Sequence, residues 1–320
     1  MAAKRALCFA TIGQRGKLMT LRYDDIGNRL KAYRMGSGLS ADEIAKQLGI
    51  SRTALYRFEK GELAKIETLE RLAELLGVSI PTLLGVGIEY IPSAVGYFER
   101  LRQIEETAEH IVVLSGPISF LLGSENFLPT LQDVLTENIS STIENQAQAL
   151  SDIKQIIEIL RQRKELYRRR RPTIVNMMSA LEIERFLHHG FIGRAGLADA
   201  EIRKRKQLAR TEIQHFASLI DQHPIGIQVG IVTDTLPFTG FQLFRQPDRK
   251  LLVLSPFRLG SEPNVRVGVA TITSAPDAVN LHEKSIDEMW RRALKGQAAA
   301  DYLRRLLAND SEPDVPKKKK

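Results

Sequence analysis

The polar side chains with the most evident chemical potential are concentrated between Ser51 and Lys60. Leu55 and Phe58 fall on the inward face of a predicted helix, and four residues are left to face outward: Arg52, Thr53, Tyr56 and Arg57. A guanidinium group can donate paired hydrogen bonds to O6 and N7 of guanine, and a threonine can hydrogen-bond a base edge or contact a thymine methyl group. This helix therefore presents the chemistry that base recognition in a DNA groove requires.

Recognisable catalytic motifs are absent from the sequence. The histidines are scattered, and the adjacent pair His188 and His189 would face different sides of a helix. Residues 282–284 (HEK) are similar to the HxK motif of phospholipase-D-type phosphohydrolases, but Met289 stands where that motif needs an aspartate. No GxSxG, HExxH, Walker or complete GxGxxG motif occurs. We predict no enzyme activity, no metal site and no cofactor.

Cysteine content and hydropathy favour a cytoplasmic protein. Cys8 is the only cysteine, so neither an intrachain disulfide nor a cysteine-rich zinc site can form. No apolar run approaches the length of a transmembrane span, and the apolar segment after Lys4 and Arg5 is too short for a signal peptide. We predict a flexible leader over residues 1–22, with Met1 or Met19 as the start.

The outward-facing residues belong to a pair of short helices predicted between Ser40 and Gly61. Ser40 is a favourable N-cap, and Glu43 follows at the spacing of a capping box. Gly49 ends the first helix, where a left-handed residue is usually required, and Ser51 can cap the second. This arrangement is typical of a helix-turn-helix, whose second helix is free to enter a DNA groove.

Three more helical patterns complete a compact domain around this pair. Apolar residues at helical spacing predict helices over residues 25–35, 66–76 and 80–84. Glycine or proline residues mark their ends or beginnings. We therefore predict an all-α domain of five helices over residues 23–88.

Residues 26–85 resemble the Cro/cI-type (XRE, phage-repressor-like) helix-turn-helix regulators, through the segments IGNRLKAYR, LSADEIAKQLGIS, TALYRFEKG and LERLAELLGVSIPTLL. The resemblance implies a lambda-repressor-like fold whose recognition helix, Ser51–Glu59, lies in the major groove. It also implies base contacts by Arg52, Thr53, Tyr56 and Arg57.

Further residue roles follow from the same resemblance. Phosphate contacts are implied for Ser51 and Lys60, which flank the recognition helix. In the family, the arginine that closes helix 1 pairs with the glutamate that closes the recognition helix, so we predict an ion pair between Arg34 and Glu59. A glutamine often opens helix 2 and helps to hold a phosphate, but Ala41 occupies that position here.

The charge distribution favours an anionic partner. The net charge is +8 and the pI about 9.5, and residues 1–85 contain 14 Lys and Arg against 9 Asp and Glu. The cluster Arg168–Arg171 is either solvated at a helix C-terminus or binds a phosphate or an anionic effector. Residues 309–320 are predicted to be a disordered basic tail, in which Lys317–Lys320 either strengthen non-specific DNA binding or are inert.

Residues 89–308 are predicted to form an α+β domain. Helices are expected over residues 94–110, 119–135, 139–167, 178–187 and 200–222, with a buried strand at Ile111–Leu114. Apolar patterns then predict strands around residues 225–231, 241–243, 251–254 and 265–269, in a mainly antiparallel sheet. An amphipathic stretch over residues 275–307 closes the domain.

The longest helical pattern, over residues 139–167, has a partial heptad repeat. Ile143, Leu150 and Ile157 recur every seven residues, as do Ile153 and Leu160. This seam either forms a coiled coil between two protomers or packs on its own domain, since two heptads are too few to decide.

The second domain resembles C-terminal domains of unknown ligand that follow helix-turn-helix modules in bacterial regulators, through GPISFLL, ILRQRKELYRRR, HPIGIQVGIV and DEMWRRAL. The resemblance implies a sensing or dimerising domain. We therefore predict a homodimeric transcriptional regulator, a repressor, which binds a roughly palindromic double-stranded operator and responds to a small-molecule effector at its C-terminal domain. Two alternatives are a ligand-independent DNA-binding protein, antitoxin-like or architectural, whose C-terminal domain binds another protein, and an enzyme with a DNA-binding module.

Overall fold

The computed structural model describes residues 23–62, 64–114, 116–139, 144–194, 196–234 and 239–309. The predicted leader 1–22, the basic tail Lys317–Lys320 and the heptad residue Ile143 lie outside the described residues. Within the described residues, no helix is both long enough and apolar enough to cross a lipid bilayer.

Five helices form the N-terminal region: α1 (Tyr23–Gly36), α2 (Ala41–Leu48), α3 (Arg52–Glu59), α4 (Ile66–Leu75) and α5 (Ile80–Leu84). Each helix contributes at least one large side chain that is at most 1% exposed: Leu30, Ile44, Leu55, Leu72 and Leu83. The helices are amphipathic, so burial of these faces closes them around a common core.

The described residues after α5 are built on one eight-stranded sheet: β1 (Ile88–Ile91), β2 (His110–Leu114), β3 (Thr173–Ser179), β4 (Ile227–Val232), β5 (Phe241–Arg245), β6 (Lys250–Leu254), β7 (Ala270–Thr273) and β8 (Leu294–Lys295). The strand order is β1-β7-β6-β5-β2-β3-β4-β8. The neighbours β2, β3 and β4 are parallel, and the other pairs are antiparallel.

The prediction of a mainly antiparallel sheet is therefore wrong, because the sheet is mixed. Parallel neighbours need a long crossover connection, and two pairs of helices supply it. The first pair, α7 (Phe127–Glu137) and α8 (Gln146–Arg170), connects β2 to β3. The second pair, α9 (Ala180–His189) and α10 (Asp199–Asp221), connects β3 to β4.

Several local predictions also differ from the structure. The helix expected over residues 94–110 ends at Glu105, and the one expected over residues 119–135 is divided into a 3₁₀ turn at Phe120–Leu122 and α7. The central strand β3 extends through Met178, where a helix was expected to begin, and α9 begins only at Ala180. The strand expected over residues 265–269 lies instead at β7, and Val267 and Val269 are exposed. The closing amphipathic stretch is divided into α11 (Pro276–Arg292) and α12 (Gly296–Asn309), with β8 between them.

Helices cover both faces of the sheet. One face carries the larger core, to which α8, α10, α12 and α6 (Ala94–Glu105) contribute. The opposite face packs on α11 through residues such as Ile286 and Met289. In α8, Ile153, Ile157 and Leu160 are buried against their own chain, whereas Leu150 is exposed, so three of the four described heptad residues serve packing within the chain.

Helix α1 packs directly on α6, and the helical region and the sheet region therefore share one hydrophobic core. Small residues permit the close approach of the two backbones. A Cβ atom on Gly36 would lie 3.3 Å from the Cα atom of Gly96, and one on Gly96 would lie 3.1 Å from the carbonyl oxygen of Ala32.

A buried ionic network closes this junction. Glu89 of β1 accepts hydrogen bonds from Arg29 of α1 (Nε to Oε2, 3.1 Å) and from Arg100 of α6 (Nε to Oε1, 2.7 Å; Nη2 to Oε2, 3.1 Å). All three side chains are less than a tenth exposed. Burial alone would raise the pKa of Glu89, but the guanidinium groups of Arg100 and Arg29 hold it below its ordinary value.

Polar contacts around the network extend the junction. Gln103 of α6 accepts a hydrogen bond from Arg100 (2.7 Å) and donates one to the carbonyl oxygen of Asn28 (3.0 Å). The Tyr33 hydroxyl donates to the carbonyl oxygen of Tyr90 at 2.9 Å. Because these bonds join α1 to α6 and β1, they fix the orientation of the helical region on the sheet.

Candidate nucleic-acid interface

The turn between α2 and α3 is set by its capping residues. The backbone N–H of Glu43 donates to Ser40 Oγ at 3.2 Å, and the backbone N–H of Ser40 donates to Glu43 Oε2 at 2.7 Å, which completes a capping box. The bond from the Ser40 backbone lowers the pKa of Glu43. Gly49 follows with φ of 68°, a left-handed conformation that glycine adopts without strain.

Helix α3 begins directly after this turn, with its polar face outward. Ser51 Oγ accepts a hydrogen bond from the backbone N–H of Ala54 at 3.0 Å and so caps the helix. Leu55 and Glu59 are buried. The remaining predicted contact residues are exposed, apart from Tyr56, which is partly buried: Ser51, Arg52, Thr53, Arg57 and Lys60.

Helix α1 holds α3 at very short range. A Cβ atom on Gly27 would lie 2.6 Å from the carbonyl oxygen of Glu59, so only glycine permits this approach of the two backbones. About two turns further along α1, Arg34 meets the carboxylate of Glu59 through two bonds, Nε to Oε1 at 2.5 Å and Nη2 to Oε2 at 3.1 Å. The structure thus brings together the predicted pair, and bidentate geometry fixes its orientation.

The Arg52 guanidinium is engaged within the protein. It donates from Nε and Nη2 to the Tyr56 hydroxyl (3.2 and 3.1 Å) and forms an ion pair with Asp42 of α2 at 3.2 Å. The hydrogen bond to Tyr56, followed by the charge of Asp42, raises the pKa of Arg52. The side chains of Arg52 and Asp42 are more than half exposed, so this pair is weak and can exchange for a DNA contact.

Arg57 has a similar partner beyond the end of α3. It pairs with Glu62 at 2.6 Å, and both side chains are about half exposed or more. The hydrogen bond from Arg57 holds the pKa of Glu62 below its ordinary value. Arg52 and Arg57, the two residues predicted to bind guanine, are therefore each paired with an exposed carboxylate. Each of these ion pairs has to break before the arginine can reach a base.

The two carboxylates are functional neighbours that the sequence patterns did not identify. Asp42 is two residues from Ser40 in the first turn of α2, and Glu62 lies past the last residue of α3, so neither stands at helical spacing from its arginine on one helix. Ala41, which replaces the glutamine often found in the family, is 6% exposed and is part of the core.

Replacing Glu62 with glutamine should strengthen DNA binding about 2- to 10-fold at low salt, because Arg57 is released and a negative charge near the phosphates is removed. Titration of a fluorescent duplex by anisotropy measures this change. Glu288→Gln, an equal charge change at an exposed position of α11, is the matched control. Equal affinities for both variants would show that Glu62 does not compete with DNA for Arg57.

Comparison with known proteins agrees with this geometry. A family model described as a helix-turn-helix domain matches residues 25–84. A protein of Pyrobaculum aerophilum, whose name assigns it provisionally to the HTH-type transcriptional regulatory proteins, is 38% identical over 55 residues. That similarity covers 17% of this chain and spans only about a fifth (22%) of the length of that relative. Residues 25–84 therefore form a helix-turn-helix domain.

Proposed function

We propose that this protein is a sequence-specific DNA-binding transcriptional regulator. The observation that carries the proposal is the state of α3, which is capped by Ser51, fixed to α1 through Glu59 and Gly27, and exposed along its polar face. A helix fixed on one side and polar on the other is the form that enters the major groove in helix-turn-helix proteins.

Each outward residue has a role in this proposal. Arg52 and Arg57 leave their carboxylate partners and donate paired hydrogen bonds to guanine, while Thr53 contacts a base edge or a thymine methyl group. Tyr56 supports Arg52 through its hydroxyl. The Ser51 hydroxyl and the Lys60 ammonium, at the two ends of α3, bind phosphates and set the register. The proposal includes no catalysis, metal or cofactor.

The finer assignments are parts of the same proposal. The bidentate pair of Arg34 and Glu59 supports the Cro/cI (XRE) type. We infer a cytoplasmic homodimer that binds a roughly palindromic operator with half-site centres about 34–36 Å apart, and that acts as a repressor. Most of the apolar seam of α8 is buried within the chain, which favours a dimer contact elsewhere. DNA binding is regulated by the region after residue 88, since α1, which holds α3, is packed against that region.

Salt dependence tests the phosphate contacts. The affinity for a duplex should fall linearly with salt on logarithmic axes, and Lys60→Ala should lower that slope by about one while weakening binding to all sequences equally. Lys284→Ala, on exposed α11, is the control and should leave the slope unchanged. A slope that is the same for wild type and Lys60→Ala would remove Lys60 from the interface.

A further inference from the structure

A cavity of about 610 Å³ lies at the end of the sheet where β2 and β6 finish and β5 begins. Aromatic rings form much of its wall: Tyr97, Phe98, Phe120, Phe241 and Phe257. Its volume is within the range of about 300–1,000 Å³ that is usual for small-molecule sites, and such sites combine an apolar wall with a few polar groups.

Five charged side chains line the cavity: Arg163, Glu182, Arg185, Arg258 and Glu262. Three of them have a partner of opposite charge within the protein. Arg163 forms a buried bidentate pair with Glu105 at 2.9 and 2.7 Å, and Arg185 pairs with Glu262 at 2.9 Å near the surface, where both side chains are more than two-fifths exposed. One carboxylate and one guanidinium group, those of Glu182 and Arg258, are left.

Within the described part of the chain, neither remaining side chain forms a hydrogen bond or an ion pair. Glu182 is half-buried in the first turn of α9, and its carboxylate occupies the space that a Cβ atom on Gly116 would need. Burial raises the pKa of Glu182, although the guanidinium groups of Arg185 and Arg258 act in the opposite direction. An unpaired anion and an unpaired cation therefore face the same cavity.

Arg258 stands on a well-fixed segment, residues 255–269. Asn264 donates from Nδ2 to the carbonyl oxygens of Pro256 (3.1 Å) and Val267 (2.8 Å). The backbone N–H of Ile192 donates to the carbonyl oxygen of Ser261 at 2.7 Å and fastens the segment to the chain that follows α9. The backbone that carries Arg258 is thus set before any ligand arrives, while its exposed side chain is free to turn toward a ligand. A fixed backbone lowers part of the entropic cost of binding.

We propose that this cavity binds a zwitterionic small molecule with a large apolar side chain, an amino acid or a short peptide. Glu182 receives its ammonium group, Arg258 its carboxylate, and the aromatic wall its side chain. Each charged group of the ligand then replaces water at a protein charge that has no partner, and a charge-assisted hydrogen bond is stronger than a neutral one.

Helix α6 connects this cavity to the helices of the DNA-binding region, so that a bound ligand can regulate DNA binding. This step rests on the function proposed above. Tyr97, Phe98 and Leu101 of α6 line the cavity, and Arg100 and Gln103 of the same helix hold α1. A ligand that shifts α6 therefore acts on the helix that positions α3. It changes DNA affinity only if it binds the two arrangements of α6 differently.

The variant Glu182→Gln is expected to remain folded and to melt higher than wild type at pH 7. Where the pKa of a carboxyl group is raised on folding, the free energy of unfolding of the protein decreases as pH rises from the unfolded pKa, about 4.3, through the raised value. Two thermal melts in the absence of ligand, one at pH 7 and one near pH 4, should therefore differ between the proteins only at the higher pH. A lower melting temperature for the variant at pH 7 would show that Glu182 has a partner, and would overturn the proposal.

Isothermal titration calorimetry of the full chain tests the ligand class directly. L-phenylalanine or the dipeptide L-leucyl-L-phenylalanine should bind. The one that binds more tightly shows whether the cavity fits an amino acid or a short peptide. N-acetyl-L-phenylalanine, which lacks the ammonium group, and L-phenylalaninamide, which lacks the carboxylate, should each bind at least about 10-fold more weakly. Glu182→Gln and Arg258→Gln should weaken zwitterion binding to a similar extent, whereas Glu184→Gln on the same helix should not.

The outcomes separate this proposal from the proposed function. Absence of binding by both zwitterions at millimolar concentration, equal binding of the acetylated or amidated compounds, or unchanged binding by Glu182→Gln would overturn it. Each of these measurements is made without DNA. If a zwitterion binds as expected and the affinity for DNA does not change, the ligand site stands and its regulatory role is wrong.

Discussion

Replacing Arg52 and Arg57 together with alanine is expected to abolish specific DNA binding while leaving the thermal melt nearly unchanged. Each bidentate contact with guanine that is lost should reduce discrimination by a factor of about 5 to 140. Both side chains are exposed, and their pairs with Asp42 and Glu62 lie on the surface, where ion pairs add little to folding. Anisotropy titration with a selected duplex, together with a circular-dichroism melt, measures both effects.

The matched control removes two arginines from the exposed surface of the sheet region, Arg203 and Arg291. This control has the same net charge as the α3 variant, so it reports general electrostatic attraction. Equal losses in both double variants would mean that the two residues act only through charge. Unchanged specific affinity of the Arg52 and Arg57 variant would contradict the assignment of α3 as the reading helix.

Replacing Glu89 with glutamine is expected to produce the largest loss of stability. Its carboxylate hydrogen-bonds both Arg29 and Arg100, and all three side chains are buried. Glutamine preserves the shape but removes the anion that both guanidinium groups contact, so that Asp25 is left as the nearby carboxylate whose charge acts on them. Breaking a buried ion pair in this way costs about 3–5 kcal/mol in comparable cases. Urea unfolding of the full chain at pH 7 measures the loss, and exposed Glu70→Gln on α4 is the control.

The pH dependence of this effect has a definite sign. Since the two arginines hold the pKa of Glu89 below its ordinary value, the carboxylate stabilises the fold above the unfolded pKa of about 4.3. That contribution is lost as pH falls through the folded value. The difference between wild type and Glu89→Gln should therefore shrink on the acid side. A difference that stays constant from pH 7 to pH 3 would mean that the charge of Glu89 is not the cause.

The helix-turn-helix could be predicted from the sequence because its signals are local. Ser40 with Glu43, Gly49 and Ser51 each act on backbone groups within three or four residues, and such caps and apolar spacings are visible in a one-dimensional pattern. The Arg34 and Glu59 pair came from family resemblance, since residues on separate helices have no fixed sequence spacing.

The sheet was harder to predict because its neighbours are distant in the sequence. The segment TIVNMMS is a continuous apolar run with one asparagine, which fits a buried strand or the start of a helix. Its parallel pairing with β2 depends on the crossover through α7 and α8, so no local pattern specifies it. The ionic network between α1, β1 and α6 could not be predicted for the same reason. Arg29, Glu89 and Arg100 look like surface residues in a hydropathy pattern, and only the packing of α1 on α6 buries them.

Reading of DNA sequence by the intact protein is the central claim, and selection of duplexes from a random pool tests it most directly. The full chain should enrich one motif with guanines in each half-site, and anisotropy should give an affinity for that motif at least about 1,000-fold higher than for a scrambled duplex at physiological salt. Absence of an enriched motif, or equal affinity for the selected and scrambled duplexes, would contradict the claim that α3 reads DNA sequence.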